Sequence, residues 1–245
     1  MSADQLAEQF KRLHLGGMAE TFEVRLQQMQ EQDLSLRQGL SLLLQDEIQR
    51  REANAFSKRL QQAKFEAQKT LEELQLNRYA SKVQNLIKEL SCGHYLRDNQ
   101  HAIIKGPVGT GKTHLAQALG HQACRQGYTV RFIHANPLFR LLQASRADQS
   151  LEKKLKQLAT PKLLIIDDFG LRVLTSSEAE DFYELIALRH VKGSLIFTSN
   201  RKTESWLELF PDKVLGNAVL DRLINCAHEV LLDGESFRRS HRLVN

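Results

Sequence analysis

The stretch GPVGTGKTH, Gly106 to His114, sets a lysine and a threonine directly behind a run of glycines. Gly106, Gly111, Lys112 and Thr113 satisfy the spacing G-x-x-x-x-G-K-[ST]. Glycines there let backbone N–H groups turn inward at a helix N-terminus, where they can bond phosphate oxygens. The Lys112 ammonium would reach the β- and γ-phosphates, and the Thr113 hydroxyl would hold Mg2+. Pro107, Val108, Gly109, Thr110 and His114 complete the candidate nucleotide-binding segment.

Two further clusters could act on a bound triphosphate. LLIIDD ends an apolar run with Asp167 and Asp168, at the strand edge where ligands of parallel sheets bind. Asp167 would share the Mg2+ shell with Thr113, and Asp168 would orient or polarise the attacking water. IFTSN ends in Asn200, whose amide could position that water. An Asn behind a strand also caps a following helix, and NRKTESW permits that second role. Trp206 in the same stretch reads as a packing anchor.

These groups need elements to hold them. HAIIK reads as a strand entering the glycine loop, and a helix is expected from Lys112 to about Gln126. YTVRFIH, KLLIIDDFG, SLIFTSN and AHEVLLD read as four more strands, with helices over PLFRLLQASR, SLEKKLKQLA and SEAEDFYELIALRHV. Strands alternating with helices predict a parallel five-stranded sheet covered on both faces. The first third is helical in pattern instead. Met18, Phe22, Leu26 and Met29 mark one amphipathic face, and Leu40, Leu43, Leu44, Glu47 and Ile48 continue the rhythm. The expected division is a helical domain over residues 1–65 and an α/β domain over 66–245.

Composition narrows the class. The chain has 245 residues, 42% hydrophobic and 26% charged, as in ordinary soluble proteins. No apolar run approaches the ~20 residues of a membrane helix, and MSADQLAEQF lacks the pattern of a signal peptide. Cys92, Cys124 and Cys226 have neither disulfide nor metal spacing, which points to reduced thiols in a cytoplasmic protein. Residues 1–100 hold 14 Lys+Arg against 14 Asp+Glu, and residues 101–245 hold 20 against 15, so the net charge of +5 falls in the second part. That balance suits a polyanionic partner.

Together, GPVGTGKTHLAQALG, LLIIDDFG, FTSN with its tryptophan, DRL and GESFR resemble the IstB-like family of AAA+ ATPases. These are transposition helpers of bacterial insertion sequences and cousins of the DnaC helicase loaders. RREANAFSKRLQQAKFEAQKTLEEL extends the resemblance upstream, so it covers nearly the whole chain. It implies an AAA+ P-loop core behind a small helical domain. Asn200 stands like the sensor-1 residue. Arg222 in LDRL stands like an arginine finger acting on a neighbouring subunit's nucleotide. Arg238 in GESFR stands like the sensor-2 arginine. A planar, always charged guanidinium suits the charge that builds up in phosphoryl transfer. Only seven residues follow Arg238, which leaves no room for a helical lid or winged-helix module in this sequence.

Two departures from the family pattern bear on mechanism. Asp168 stands where most AAA+ proteins carry Glu, one methylene longer, so slow hydrolysis and a signalling use of the nucleotide are expected. Val108 replaces a frequent Pro, with little consequence.

The resemblance further implies a homo-oligomer with a trans arginine finger, built on double-stranded DNA and recruiting a cognate transposase in the bacterial cytoplasm, with no membrane. Arg140, Arg146, Lys153, Lys154 and Lys156 are candidate phosphate contacts, as are Arg50, Arg51, Lys58 and Arg59 of the helical domain. EKKLK also fits a plain solvated helix face. A helicase loader holding single-stranded DNA would use the same ATPase motifs. A scaffold that has lost hydrolysis is a third reading. A small-molecule kinase would leave TSN and GESFR without a role.

Overall fold

The computed structural model describes residues 3–233. The chain divides into two compact units, one ending at Lys58 and one beginning at Arg59.

The first unit holds α1 (Ala3–Arg12), α2 (Gly16–Glu31) and most of α3 (Leu36–Ala63). Met18, Phe22 and Leu43 form its core, with Leu6, Phe10, Leu15 and Leu26 packed against them. Leu15 precedes α2 and offers its first turn no side-chain acceptor. Glu47 of α3 supplies one instead, accepting from the N–H groups of Gly17 at 2.6 Å and Met18 at 3.3 Å. A carboxylate there also complements the positive end of the helix dipole. The approach needs glycine, because a Cβ on Gly17 would lie 2.7 Å from the Glu47 Cα. Leu40, Leu44 and Ile48, part of the expected rhythm, are exposed on α3.

The second unit begins inside α3, ahead of residue 66. Arg59 Nε donates to the Cys124 carbonyl at 2.9 Å, and the Phe65 ring lies 6.3 Å from Phe132. The last turn of α3 and the residues behind it thus belong with the sheet. Next come α4 (Ser81–Ser91), α5 (His94–Arg97), β1 (His101–Lys105), α6 (Lys112–Arg125), β2 (Val130–His134), α7 (Ala135–Ala147) and α8 (Leu151–Ala159). Then follow β3 (Leu163–Asp167), α9 (Ser176–Arg189), β4 (Ser194–Ser199), α10 (Lys213–Ile224) and β5 (Ala227–Leu231).

All five strands are parallel, in the order β2-β3-β4-β1-β5. Every residue of β3 and β4 is buried, as expected for central strands covered on both faces. Phe169, Phe182, Phe197 and Trp206 form the aromatic centre of one core. Trp206 is fully buried, its ring 4.8 Å from Phe169 and 5.6 Å from Phe197. Arg189, also fully buried, donates to the carbonyls of Leu158, Ala159, Pro161, Lys162 and Ser194. It fastens the end of α8 to the starts of β3 and β4. Because the strands are parallel, the segments leaving β1, β3 and β4 emerge along one edge of the sheet.

Candidate nucleotide-binding site

β1 delivers the chain to Gly106 at that edge. Its φ is +153°, and a Cβ there would meet the Leu232 carbonyl oxygen at 2.1 Å, so no other residue fits. Lys112 Nζ donates to the carbonyls of Gly106 at 2.9 Å and Pro107 at 2.8 Å, which holds the ammonium within the curl of the loop. The Thr110 hydroxyl donates to the Pro107 carbonyl, and the Tyr79 hydroxyl donates to the Thr110 carbonyl, both at 2.9 Å. Tyr79 therefore braces the loop from outside the glycine motif. The first N–H groups of α6 face forward with no residue of an earlier turn to bond, which makes an anion-binding end. A cavity of about 650 Å³ opens in front of it, lined by Lys112, Thr113 and His114 with Asp168 and Asn200.

Asp167, the last residue of β3, is fully buried and heavily bonded. Its Oδ1 accepts from the Thr198 hydroxyl at 2.5 Å, and its Oδ2 from the Thr113 hydroxyl at 3.0 Å. His134 Nδ1 is 3.2 Å from the same Oδ2, and His134 Nε2 is 2.6 Å from Glu66 Oε1. Burial and the neighbouring Asp168 push the Asp167 carboxyl above its ordinary value, against the pull of the two threonines. Burial opposes charge on His134, yet the Glu66 hydrogen bond and the Asp167 charge outweigh it and raise its imidazole. Asp168 turns the chain at φ +56°, its N–H donating to Thr198 Oγ1 at 2.9 Å, and it lines the cavity.

Oxygen donors dominate this corner. Thr113 and Asp167 offer hydroxyl and carboxylate oxygens close together, the hard ligands that Mg2+ takes beside nucleotide phosphates. His134, Asp167 and Asp168 also have ligand atoms within 4.8 Å of one another. The donor set of Thr113 and Asp167 fits a Mg2+–nucleotide group.

The family of IstB-like ATP binding proteins matches residues 8–245. The chain belongs to that family. An ATP-binding protein of an insertion sequence in Mycobacterium tuberculosis is 40% identical over 238 residues, covering 97% of this chain and 95% of that one. An ATP-binding protein of insertion sequence IS21 in Pseudomonas aeruginosa is 34% identical, covering 93% and 86%. Among solved structures, DnaI superposes with a TM-score of 0.58 at 19% identity, covering 67% of this chain and 91% of that one. The DnaC helicase loader gives 0.53 at 20% identity, covering 64% and 96%. These two share the fold.

In this IstB-like protein the structure gathers Lys112, Thr113, Asp167, Asp168 and Asn200 at one edge. Asn200 caps no helix, since Lys202 precedes the following 3-10 turn. Arg222 is not among the residues lining the cavity. It sits on α10, its Nη1 donating to the Ala218 carbonyl at 2.8 Å and its guanidinium 5.1 Å from the Tyr183 ring centroid. Arg238 lies outside the described residues.

The basic candidates differ in what engages them. Arg146 meets the buried Asp181, Arg51 meets Glu47 at 2.6 Å, Arg50 meets Glu20 at 3.0 Å and Lys156 meets Glu152 at 2.5 Å. Arg146 is thus tied to α9, and Arg59 to Cys124. Arg140, Lys153 and Lys58 are exposed and make no ion pair among the described residues. Among the same residues no helix is long and apolar enough to cross a membrane, and the three cysteines are free thiols.

His134, Glu66 and Tyr79 escaped the sequence reading. HAN at the end of a strand carries no spacing signal, and Glu66 lies far away in the chain.

Proposed function

We propose that the protein binds and hydrolyses ATP with Mg2+, assembles with further copies on duplex DNA, and there recruits and stimulates a transposase. The observation that carries this reading is a division of labour. Lys112, Thr113, Asp168 and Asn200 reach one cavity, whereas Arg222 stands apart from it on α10. A neighbouring copy would bring its Arg222 to the cavity.

Bound triphosphate would supply the phosphoryl group and, with Mg2+, part of the charge neutralisation. Lys112 would pass its hydrogen bonds from loop carbonyls to phosphate oxygens. The amides at the start of α6 would hold the same group. Thr113 and Asp167 would hold the cation. Asp168 would accept the proton of the attacking water, and the Asn200 amide would orient that water. The incoming guanidinium would stabilise charge on the transferring group, a contribution of about 10³–10⁵ in rate where such fingers act. Arg238, by its sequence position, would contact the same nucleotide. The shorter reach of Asp168 favours slow turnover, so nucleotide binding rather than hydrolysis would set assembly.

Electron microscopy of the protein with duplex DNA and a slowly hydrolysed ATP analogue tests the proposal. Regular oligomers that require both are expected. Protein that stays monomeric with both present, at low salt, would refute it. Assembly on single strands in preference to duplex would favour a helicase loader.

A further inference from the structure

Most half-buried arginines of this protein have found their acceptors. Arg25 meets Asp46, Arg59 donates to the Cys124 carbonyl, Arg201 meets Glu208, and Arg222 donates to the Ala218 carbonyl. Arg131 differs. It lies on β2, an edge strand, opposite Leu164 of β3, and is partly buried. Among the described residues its side chain makes no hydrogen bond or ion pair. Burial pulls its guanidinium below the ordinary value, the mark of a charge that has lost water without gaining a partner.

The side chain lines a cleft of about 320 Å³ between the end of α3 and α8. Lys64 and Lys154 line the same cleft, with the amides of Gln62 and Gln157, and no carboxylate does. Lys154 Nζ donates to Gln157 Oε1 at 3.2 Å, which leaves the Gln157 NH2 group as a donor. Three cations border one small space, and their mutual repulsion is relieved when something negative enters. Lys156, on the same helix, is already taken by Glu152. The cleft shares no residue with the cavity in front of Lys112.

We infer that Arg131, Lys64 and Lys154 form a second phosphate site, one that takes a backbone phosphate of DNA. The inference rests on the proposed DNA binding and gives it an anchoring point. The planar guanidinium suits two oxygens of one phosphate, and the lysines add point charges. The contact is to backbone, so it fixes the position of the protein and reads no sequence. It also moves the anchor from the solvated face of α8 to the cleft behind it.

The test is fluorescence anisotropy of a labelled 30-base-pair duplex (about three turns) titrated over a range of KCl, with a slowly hydrolysed ATP analogue present. Arg131→Ala should flatten the dependence of log K on log salt by about 0.9, the loss of one phosphate contact, and Lys64→Ala should flatten it in the same direction by less, since the guanidinium remains. Arg131→Lys should retain the slope and lose affinity, having kept the charge without the fork. Lys88→Ala removes an exposed charge on α4, which packs against β5 at the opposite edge of the sheet. It should bind as the parent does. Should Arg131→Ala fail to fold, as judged by its melting curve, Lys64→Ala and Arg131→Lys decide the matter.

Unchanged slopes in Lys64→Ala and in folded Arg131→Ala would overturn the site and leave the DNA reading intact. Absence of duplex binding by the parent protein would defeat both. Inorganic phosphate, at constant ionic strength, should not displace the duplex. Displacement that disappears in Arg131→Ala would reassign the cleft to a free anion, and displacement by poly-glutamate with the same dependence would reassign it to an acidic peptide.

Discussion

His134 and Asp167 are register partners at the ends of adjacent strands, and the imidazole Nδ1 stands 3.2 Å from the carboxylate Oδ2. On the other side of the ring, Nε2 reaches Glu66 at 2.6 Å. One ring therefore ties the acid that would hold Mg2+ to the segment behind α3. The Asp167 carboxylate is left with its orientation fixed by His134, Thr113 and Thr198.

Replacing His134 separates the two contacts. Asn carries an amide nitrogen near the place of Nδ1, and Gln carries one near Nε2. His134→Asn should keep the hydrogen bond to Asp167 and retain Mg2+-dependent binding of a fluorescent ATP analogue. His134→Gln should lose it and weaken the apparent Mg2+ affinity about 10- to 100-fold, the usual effect of removing a partner of a metal-holding group. Equal weakening in both variants would assign the ring to the Glu66 contact instead.

Mixing variants tests the place of Arg222. Lys112→Ala should bind no nucleotide but still offer its guanidinium to a neighbour. Arg222→Ala should bind nucleotide normally and turn over at least about 10³-fold more slowly. Steady-state phosphate release by the mixture should exceed that of either alone. No recovery would place the action of Arg222 within its own subunit.

Acid should weaken the α/β unit through His101. This first residue of β1 is buried, and its Nδ1 accepts from the Leu195 N–H at 3.3 Å. Burial, with the charge of Arg189 nearby, pulls the imidazole from 6.5 down to about 4. The unfolded chain binds a proton near the ordinary value, whereas the folded chain does not until much lower pH. The stability held in this difference is complete above about pH 6.5 and is lost progressively as pH falls toward 4, about 2 kcal/mol of it by pH 5. Urea unfolding of His101→Asn, which retains an acceptor near Nδ1, should show a correspondingly smaller decline between pH 7 and 5. Parallel declines in parent and variant would contradict this account.

Trp206 should matter for folding more than for chemistry. Its ring fills the space between Phe169 and Phe197, next to the turn that carries Asp168. Trp206→Ala should cost about 3–5 kcal/mol, read as a lowered melting temperature by circular dichroism. Trp206→Phe should cost less, since the indole Nε1 has no hydrogen-bond partner to lose.

Much of this site was legible because its chemistry is written in short contiguous runs. GPVGTGKTH carries turn, helix start and functional groups together, LLIIDD carries strand, turn and functional groups, and parallel pairing brings the two stretches to one edge. Arg189, Tyr79 and His134 were not legible. Each acts through a partner remote in sequence, and a single residue has no spacing by which to announce itself. The unit boundary at Lys58 was hidden for another reason. The helical rhythm of α3 runs straight through it, so nothing in the local pattern marks where packing changes sides. Periodicity likewise found α3 without saying which of its leucines would be covered: Leu43 is buried and Leu44 is exposed.

The close approach of Leu232 to Gly106 has a bearing on how any variant of the loop should be interpreted. A side chain at that glycine would collide with the main chain leaving β5 before it could disturb a phosphate. Loss of ATP binding in a Gly106 variant would therefore report a damaged sheet as readily as a damaged cradle, and Lys112, whose ammonium can be deleted without any such collision, is the instructive position to change.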